Sequence, residues 1–349
     1  MNYDYQEHEM FQENLPPYVR YLLKASSYPH EVGEISLIQT HISSVILAGG
    51  YVYKWKKPVN FGFLDFSSLE KRKYCCEREL VLNRRLCPEI YLGLVSINVS
   101  NGEYALNGPG EVVEYGIQMA RMPEERMMSR VIQAEGLSKK DLDAVVAALI
   151  PFYDNAETGE TIQEFGRSAS VAINVLENFE QTEGFVGKGG LSRPVFERIK
   201  AYACTVLAER QLFDDRVAAG RIRDCHGDLY SANICLNGTV RIFDCIEFND
   251  RFRYSDVAAD IAFLAMDLDF HGLSDLSSYF VARFVAESGD KGLLKMLNFY
   301  KCYRAYVRGK IGLFTANDPA VDRETVDSSL NQSARYFQLA DRYAAIQEG

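Results

Sequence analysis

The segment from Cys225 to Asn233 reads C-H-G-D-L-Y-S-A-N and contains the side chains of this sequence best suited to chemistry. Asp228 is a carboxylate that could orient an attacking hydroxyl and accept its proton. Asn233 follows five positions later, the separation found in the motif H-R-D-L-x-x-x-N. An amide oxygen close to a carboxylate also suits magnesium, which prefers oxygen ligands.

A second carboxylate, Asp244, follows the apolar pair Ile242-Phe243. The dipeptide Asn237-Gly238 lies between two short β-prone runs and predicts a hairpin, which would bring Asp244 beside Asn233. Phosphoryl transfer from ATP needs positioning and charge neutralisation more than covalent chemistry. We therefore expect Asp228 to be the base, and Asn233 and Asp244 to hold magnesium. The alternative is a loop with an Asx turn and two solvated carboxylates.

Hydrophobic patterning divides the chain into two parts. Residues 35–120 are predicted to form three strands, a helix and two further strands, the last two around a turn-rich segment at 101–110. After Met122-Pro123 the pattern is helical almost to the end, apart from the hairpin. The predicted organisation is a small β-rich lobe followed by a larger helical lobe.

The set formed by His226-Gly227-Asp228, Asn233 and Asp244 resembles the aminoglycoside phosphotransferase family, within the protein-kinase-like superfamily. Residues 56–66 and 243–249 resemble a bacterial subgroup of phosphotransferase-like proteins, some of which are fused to a C-terminal P-loop kinase-like domain. The resemblance extends from about residue 35 to about residue 313.

This resemblance implies an α+β, protein-kinase-like bilobal fold. Its N-terminal nucleotide-binding lobe would span residues 1–122, and its C-terminal catalytic and substrate lobe residues 123–349. ATP and Mg²⁺ are the cofactors that such a fold implies.

A lysine on the third strand is expected to hold the phosphates of ATP. Lys54 directly follows the apolar strand residues and aligns with the lysine of V-A-I-K. Lys56 points to the same face of the strand and is a rival. Within the helix predicted over Ser68–Leu86, Glu79 lies beside an apolar stripe and is the expected partner of the lysine. Glu77 is the alternative.

The segment Thr40–Ser44 stands where a glycine-rich phosphate loop would join the first two strands, but it has no G-x-G-x-x-G. The hydroxyls of Ser43 and Ser44, with neighbouring backbone N–H groups, could hold phosphate in place of glycines. The alternative interpretation is a polar turn.

Adenine is expected at residues 118–123, where the strands give way to helices. Backbone groups of Ala120, Arg121 and Met122 would pair with the base, and Met119 would pack against it. The alternative for Met119 is an ordinary core position.

Two features favour a small-molecule hydroxyl acceptor over a protein. Gly227 replaces the Arg of H-R-D, which commonly pairs with a phosphorylated activation loop. Only residues 245–254 separate Asp244 from the next predicted helix, and no A-P-E follows, so a peptide-docking segment has no room. Glu247 could assist the metal or the substrate, or make a structural hydrogen bond.

Residues 291–316 contain six basic residues and no acidic one. Lys301, Arg304 and Arg308 share one helical face. Arg304 and Arg308 are therefore candidates for recognising a phosphate or carboxylate of the substrate. The alternative is a solvated basic face.

The composition limits the partners. The 349 residues include 38 Lys and Arg against 48 Asp and Glu, a net charge of −10 that disfavours a nucleic-acid partner. No uninterrupted apolar run is long enough for a membrane span, and the polar N-terminus does not resemble a signal peptide. Eight cysteines without a C-x-x-C pair disfavour structural zinc and are typical of reduced thiols in a cytoplasmic protein.

These features together predict an ATP- and magnesium-dependent phosphotransferase that acts on a hydroxyl of a small molecule. The alternatives are a nucleotide-binding pseudokinase, a partner module of an ATPase, or a protein nucleotidyltransferase on the same scaffold. A protein nucleotidyltransferase on this scaffold normally has another residue at the position of the catalytic base. The presence of Asp228 therefore argues against that alternative.

Overall fold

The computed structural model describes residues 15–319 and 321–346. The chain divides into two compact units. The first comprises residues 1–123 together with Glu247–Asn249, and the second comprises residues 124–246 and 250–349. Three residues that closely follow Asp244 therefore belong to the first unit. The N-terminal residues considered for a signal peptide lie largely at positions 1–14, outside the described residues.

The first unit is built on a six-stranded antiparallel sheet. Its strands are β1 (Ile35–Gln39), β2 (Ser43–Ala48), β3 (Tyr51–Lys56), β4 (Tyr91–Ser100), β5 (Glu103–Leu106) and β6 (Glu111–Ala120). Across the sheet their order is β1-β2-β3-β6-β4-β5, so β3 is an interior strand.

Strand β3 has an apolar face and a charged face. Tyr53 and Trp55 are buried in the main core of the first unit. Lys54 and Lys56 point to the opposite side, because successive side chains alternate along a strand. Gly116 of β6 lies opposite Trp55, and a Cβ at Gly116 would lie 2.5 Å from the indole ring. Only glycine leaves room for the indole at this position.

Within the part of this unit that the structure describes, two α-helices accompany the sheet, α1 (Pro17–Leu22) and α2 (Leu69–Asn83). Helix α2 packs against β4 and β6. Arg72 Nε donates to Glu114 Oε1 of β6 at 2.7 Å, with both side chains buried. Because Glu79 lies two helical turns after Arg72, it faces the same way as Arg72 and is also buried.

The second unit is mainly helical. Its helices are α3 (Met128–Gln133), α4 (Lys139–Asn155), α5 (Glu160–Gln163), α6 (Ser168–Thr182), α7 (Arg193–Ala208), α8 (Arg210–Ala218), α9 (Asp250–Arg253), α10 (Val257–Phe270), α11 (Ser274–Ser288), α12 (Leu293–Ala316) and α13 (Arg323–Ala345). Its short strands are β7 (Ile222–Asp224), β8 (Ile234–Asn237), β9 (Thr239–Ile242) and β10 (Tyr254–Asp256). Strands β8 and β9 form a hairpin, and β7 pairs with β10. Among the described residues, none of the helices combines the length and apolarity that crossing a membrane requires.

Helix α10 is enclosed, since every residue from Val257 to Leu268 is buried. Asp256 caps it by accepting the N–H of Ala258 at 2.9 Å. The same carboxylate receives Arg216 Nε and Nη2 at 2.8 and 2.7 Å, and Arg216 also bonds to Asp290. The start of α10 is thus fixed by a buried bidentate ion pair.

The predicted fold class is confirmed: a β-rich N-terminal part precedes a helical part, and the hairpin lies where Asn237-Gly238 indicates. The pattern does not predict β5, which occupies four residues of the segment interpreted as turn-rich. Asn101 and Gly102 both adopt positive φ and close a tight connection between β4 and β5. All eight cysteines are free thiols, and seven of them are buried.

The contact between Gly116 and Trp55 yields a stability prediction. Gly116→Ala forces a methyl group into the indole and should lower the free energy of unfolding by about 2 kcal/mol, a usual cost of overpacking. Urea titration followed by fluorescence of Trp55, the chain's single tryptophan, measures it. The control is Gly93→Ala on β4, where a Cβ meets nothing within 4 Å. Equal midpoints for the two variants would contradict the steric explanation.

Candidate active site

The loop that carries Asp228 is anchored by Asp260 of α10, whose side chain is fully buried. Asp260 Oδ2 accepts the N–H of His226 at 2.7 Å, and Oδ1 accepts the N–H of Gly227 at 3.0 Å. The hydroxyl of Tyr153 also donates to Oδ2, at 3.1 Å. A buried carboxylate needs hydrogen-bond donors. Because two of the donors to Asp260 are backbone N–H groups of the loop, these bonds fix the position of the loop backbone.

The ring of His226 joins the loop to the end of β9. Its Nδ1 accepts the N–H of Asp228 at 3.2 Å, so Nδ1 carries no proton. Its Nε2 lies 3.0 Å from the carbonyl oxygen of Phe243 and is therefore the protonated nitrogen. The histidine of the motif thus positions Asp228 and the residue before Asp244 together.

Gly227 adopts a φ of +86°. A Cβ at this position would lie 2.9 Å from the carbonyl oxygen of Phe252. A glycine at the position of the arginine in H-R-D is therefore required by the local backbone.

Asp228 and Asn233 are brought together. Asn233 Nδ2 donates to both the backbone oxygen and Oδ2 of Asp228, each at 3.0 Å. With its nitrogen engaged, Asn233 has its amide oxygen available as a ligand atom. The five-residue spacing thus forms a compact pair through a short 3₁₀ turn at Ser231–Asn233.

The electrostatic surroundings raise the proton affinity of Asp228. Burial raises its pKa to about 6, while Arg308 and Arg304 lower it and the Asp244 carboxylate raises it. Asp228 is therefore a stronger base than an exposed aspartate, yet remains ionised at neutral pH.

The hairpin returns the chain as predicted. Phe243 N donates to the backbone oxygen of Asn233 at 3.0 Å, so Asp244 begins next to Asn233. Asp244 has a φ of +63°, which is uncommon for a residue with a side chain and costs backbone energy.

In the first unit, both strand lysines contact Glu79. Lys54 Nζ lies 2.8 Å from Glu79 Oε1, and Lys56 Nζ lies 2.7 Å from Oε2. Burial alone would raise the pKa of Glu79, but the two lysines hold it well below its usual value. Glu77, the alternative partner, is exposed and lies 3.8 Å from Lys73.

Lys54 and Lys56 differ in what surrounds them. The side chain of Lys54 is 16% exposed, whereas that of Lys56 is 2% exposed. Lys56 also pairs with Glu247 and lies over the ring of Phe66, 4.9 Å from its centroid. Glu247 therefore lies in a buried ion pair of the first unit, and Lys54 is the lysine with access to solvent.

The expected phosphate-holding residues lie at the start of β2. Thr40 Oγ1 accepts the N–H of Ser43 at 2.9 Å and closes the turn between β1 and β2. Ser43 and Ser44 are buried, and Ser43 Oγ has no hydrogen-bond partner among the described residues. Ser43 pairs across the sheet with Lys56.

The expected adenine-binding residues lie at the end of β6 and directly after it. The N–H of Ala120 donates to Ile90 and that of Arg121 to Gly50, each at 2.9 Å. Of the three residues expected to pair with adenine, only Met122 therefore has a backbone N–H that is not engaged in one of these two hydrogen bonds. Met119 is buried in β6.

The basic stretch of α12 is not a solvated face, so that alternative is wrong for the three residues singled out. Lys301 is buried and lies 2.8 Å from Asp269. Arg304 is 6% exposed, and its Nη2 lies 3.8 Å from Asp260. Arg308 lies over the ring of Tyr230, 4.7 Å from its centroid.

Sequence reasoning missed three parts of these arrangements. It did not connect Asp260 with the loop of Asp228, whose backbone Asp260 holds. It did not connect Lys56 with Glu247, and it did not detect Asp267, which accepts the N–H of Ser231 at 3.0 Å. A signal was available for the aspartates, since charged residues inside an apolar helix need buried partners.

No protein-family model matches the chain. An uncharacterised protein of Mycobacterium tuberculosis and one of Mycobacterium bovis are each 35% identical to it over 279 residues. The alignments cover 79% of this chain and 54% of each relative, so the chain spans about half the length of these curated relatives.

Among solved structures, a choline/ethanolamine kinase family protein from Mesorhizobium loti matches 93% of this chain and 99% of its own chain. The TM-score is 0.50 and the sequence identity 12%. The chain has the protein-kinase-like fold. At this identity the likeness concerns the fold alone.

A second protein-kinase-like match is an aminoglycoside phosphotransferase from Streptomyces rimosus, solved with ADP and streptomycin. It covers 92% of this chain and 99% of its own, with a TM-score of 0.42 and 13% identity. A likeness at this level carries no argument about this chain.

The unequal burial of the two lysines predicts unequal effects on stability. Lys56→Met removes the ammonium between two buried carboxylates and should cost about 3 kcal/mol of unfolding free energy. Lys54→Met leaves Glu79 paired with Lys56 and should cost about 1 kcal/mol or less. Trp55 lies between the two lysines in sequence, so its fluorescence during urea unfolding reports on both variants. A larger loss for Lys54→Met would contradict the structural role of Lys56.

Proposed function

We propose that the chain is an ATP- and magnesium-dependent phosphotransferase that moves the γ-phosphoryl group to a hydroxyl of a small molecule. The observation that carries the proposal is the hydrogen-bonded pair Asp228–Asn233, with Asp244 joined to it through the backbone of Phe243. The protein-kinase-like fold is consistent with this reaction, and the motif resembles that of the aminoglycoside phosphotransferase family.

In the proposed step, Asp228 orients the acceptor hydroxyl and takes its proton. The acceptor oxygen forms a bond to the γ-phosphorus as the bond to the β-bridging oxygen breaks, and ADP leaves. The hydrogen bond from Asn233 Nδ2 keeps one oxygen of Asp228 in a fixed orientation. The raised pKa of Asp228 suits proton acceptance, since a stronger base captures the proton more readily.

The residues present fit a magnesium ion. Asn233 uses its amide nitrogen on Asp228, which leaves its oxygen for a cation, and Asp244 adds a carboxylate. Among the described residues no cluster of three His, Cys, Asp or Glu side chains forms a metal centre. A two-ligand protein site is usual for magnesium, which takes its other ligands from phosphates and water. When bound, the ion neutralises charge on the transferring phosphoryl group.

In the first unit, we assign the phosphate contact to Lys54, with Glu79 orienting its ammonium. Its partial exposure supports this choice over Lys56, whose charge is already shared between two carboxylates. Ser43 and Ser44 are the proposed phosphate contacts of β2. Adenine is assigned to residues 119–122.

A small acceptor remains our proposal. Gly227 cannot be replaced by the arginine of protein kinases without a clash at the carbonyl of Phe252. The stretch between Asp244 and α10 contains only the short helix α9 and strand β10. This stretch is too short to contain a segment that would dock a peptide, which favours a small acceptor.

The decisive experiment compares wild type with Asp228→Asn, using ATP labelled at the γ-phosphate and a bacterial metabolite extract as the source of acceptors. We expect a labelled product from wild type and at least a hundredfold less from the variant, because general bases contribute roughly 10²–10⁴ in rate. The matched control is Asp154→Asn, an exposed aspartate of α4, which should label as wild type does.

A parallel reaction with ATP labelled at the α-phosphate separates the alternatives. Stable α-label on protein would indicate nucleotidyl transfer. If wild type and Asp228→Asn transferred equally little γ-label, the enzyme proposal would fail and a pseudokinase or partner module would replace it.

The metal ligands yield a further prediction. Asp244→Asn and Asn233→Ala should each raise the magnesium concentration needed for half-maximal transfer at least tenfold, because each removes one of two protein ligands. Titrating Mg²⁺ at constant ATP measures this. An unchanged magnesium requirement in both variants would contradict the assignment.

A further inference from the structure

Two arginines of α12 lie beside the loop of Asp228. Arg304 and Arg308 are four residues apart and therefore share a helical face. The guanidinium of Arg308 lies 4.7 Å from the ring centroid of Tyr230, which is two residues after Asp228. That of Arg304 lies 4.8 Å from the ring centroid of Phe263. Both charges act on Asp228 strongly enough to lower its pKa.

These arginines differ from the other buried arginines of the second unit. Arg216 makes hydrogen bonds to two aspartates, Asp256 and Asp290. Arg253 likewise bonds to Asp224 and Asp250. In both cases a buried guanidinium is satisfied by two carboxylates.

Arg304 and Arg308 have no such pairing. The Nε of each is buried and has no hydrogen-bond partner within residues 15–319 and 321–346. Arg304 is 3.8 Å from Asp260, beyond hydrogen-bond distance. Asp260 already accepts two backbone amides and a tyrosine hydroxyl, so it is engaged in holding the loop. Unsatisfied buried donors are costly and call for an explanation.

Two tyrosine rings flank the guanidinium of Arg308, and Tyr336 also makes a hydrogen bond with it, which leaves the buried Nε without a partner among the described residues. The guanidinium lies 4.7 and 5.7 Å from the centroids of Tyr230 and Tyr336. Tyr230 is stacked on Phe263, and Tyr336 on Phe270. A planar fork held in this way is pre-organised for a carboxylate or a phosphate.

We propose that Arg304 and Arg308 bind an anionic group of the phosphoryl acceptor, and that the acceptor is an alcohol with a carboxylate or phosphate rather than a cationic amino alcohol. This inference rests on the proposed phosphotransferase function and names the acceptor class of the same site. The acceptor's anion supplies hydrogen-bond acceptors for the buried Nε groups of these two side chains.

The experiment divides a nucleotide-depleted metabolite extract on an anion exchanger at alkaline pH, so that compounds with a net negative charge are retained. Each pool is incubated with γ-labelled ATP, Mg²⁺ and the full chain. We expect the product that depends on Asp228 to come from the retained pool. A product from the unretained pool alone would overturn the anionic acceptor but leave the proposed function intact. No such product from either pool would instead reject the function, and the inference with it.

Phosphatase treatment of the retained pool before the reaction separates the two anion sources. Loss of the product identifies a phosphate group on the acceptor, and its persistence identifies a carboxylate. Either result agrees with the proposal.

Variants then test the arginine itself. Arg308→Gln should lower labelling at least tenfold when the retained pool is dilute and much less when it is concentrated, as a KM effect requires. Arg308→Lys keeps the charge and should recover part of the loss, which a purely structural role does not predict. Lys295→Gln, an exposed charge on the same helix, should behave as wild type does. Wild-type labelling by Arg308→Gln with dilute acceptor would overturn the proposal.

Discussion

A charge buried away from water has to be given partners, and this constraint organises the second unit around Asp260. The carboxylate has no exposed surface and receives the N–H groups of His226 and Gly227 together with the hydroxyl of Tyr153. The loop cannot change its backbone without leaving that charge unsatisfied. The position of Asp228, the next residue, follows from a helix residue more than thirty positions away.

The same constraint acts in the first unit through Glu79, which is shared by two lysines. One lysine would be enough to compensate the charge of Glu79. The second, Lys56, extends the chain of alternating charges to Glu247, which lies three residues after Asp244 in sequence. The segment that follows the proposed metal ligand is thereby tied to the strand that carries the proposed phosphate lysine. The sequence suggests Glu247 as a contact for the metal or the substrate. Its ion pair with Lys56 is better explained as a contact that positions this segment.

The parts of this arrangement that could be predicted are those that depend on local chain geometry. Asn233 reaches Asp228 across five residues, and the hairpin that returns Asp244 needs only Asn237-Gly238. The pairing of Lys54 with Glu79 was expected because Lys54 aligns with the lysine of V-A-I-K and Glu79 lies beside the apolar stripe of its helix. Contacts between distant segments left no such pattern, and Glu247 is 191 positions from Lys56. The burial of Arg304 was also invisible, because a basic stretch looks the same whether it faces solvent or a core.

Two kinds of unfavourable feature lie close to Asp228. Asp244 has a positive φ, and two neighbouring arginines keep buried donors without partners. Selection for stability alone would remove these features, because backbone strain and unsatisfied donors both lower stability. They persist only where the surrounding structure holds them in place. Arg216 and the anchoring aspartates provide those surroundings with fully paired networks. Within one unit, arginines paired with carboxylates therefore belong to the framework, whereas the two arginines whose Nε groups lack partners among the described residues belong to the proposed ligand site.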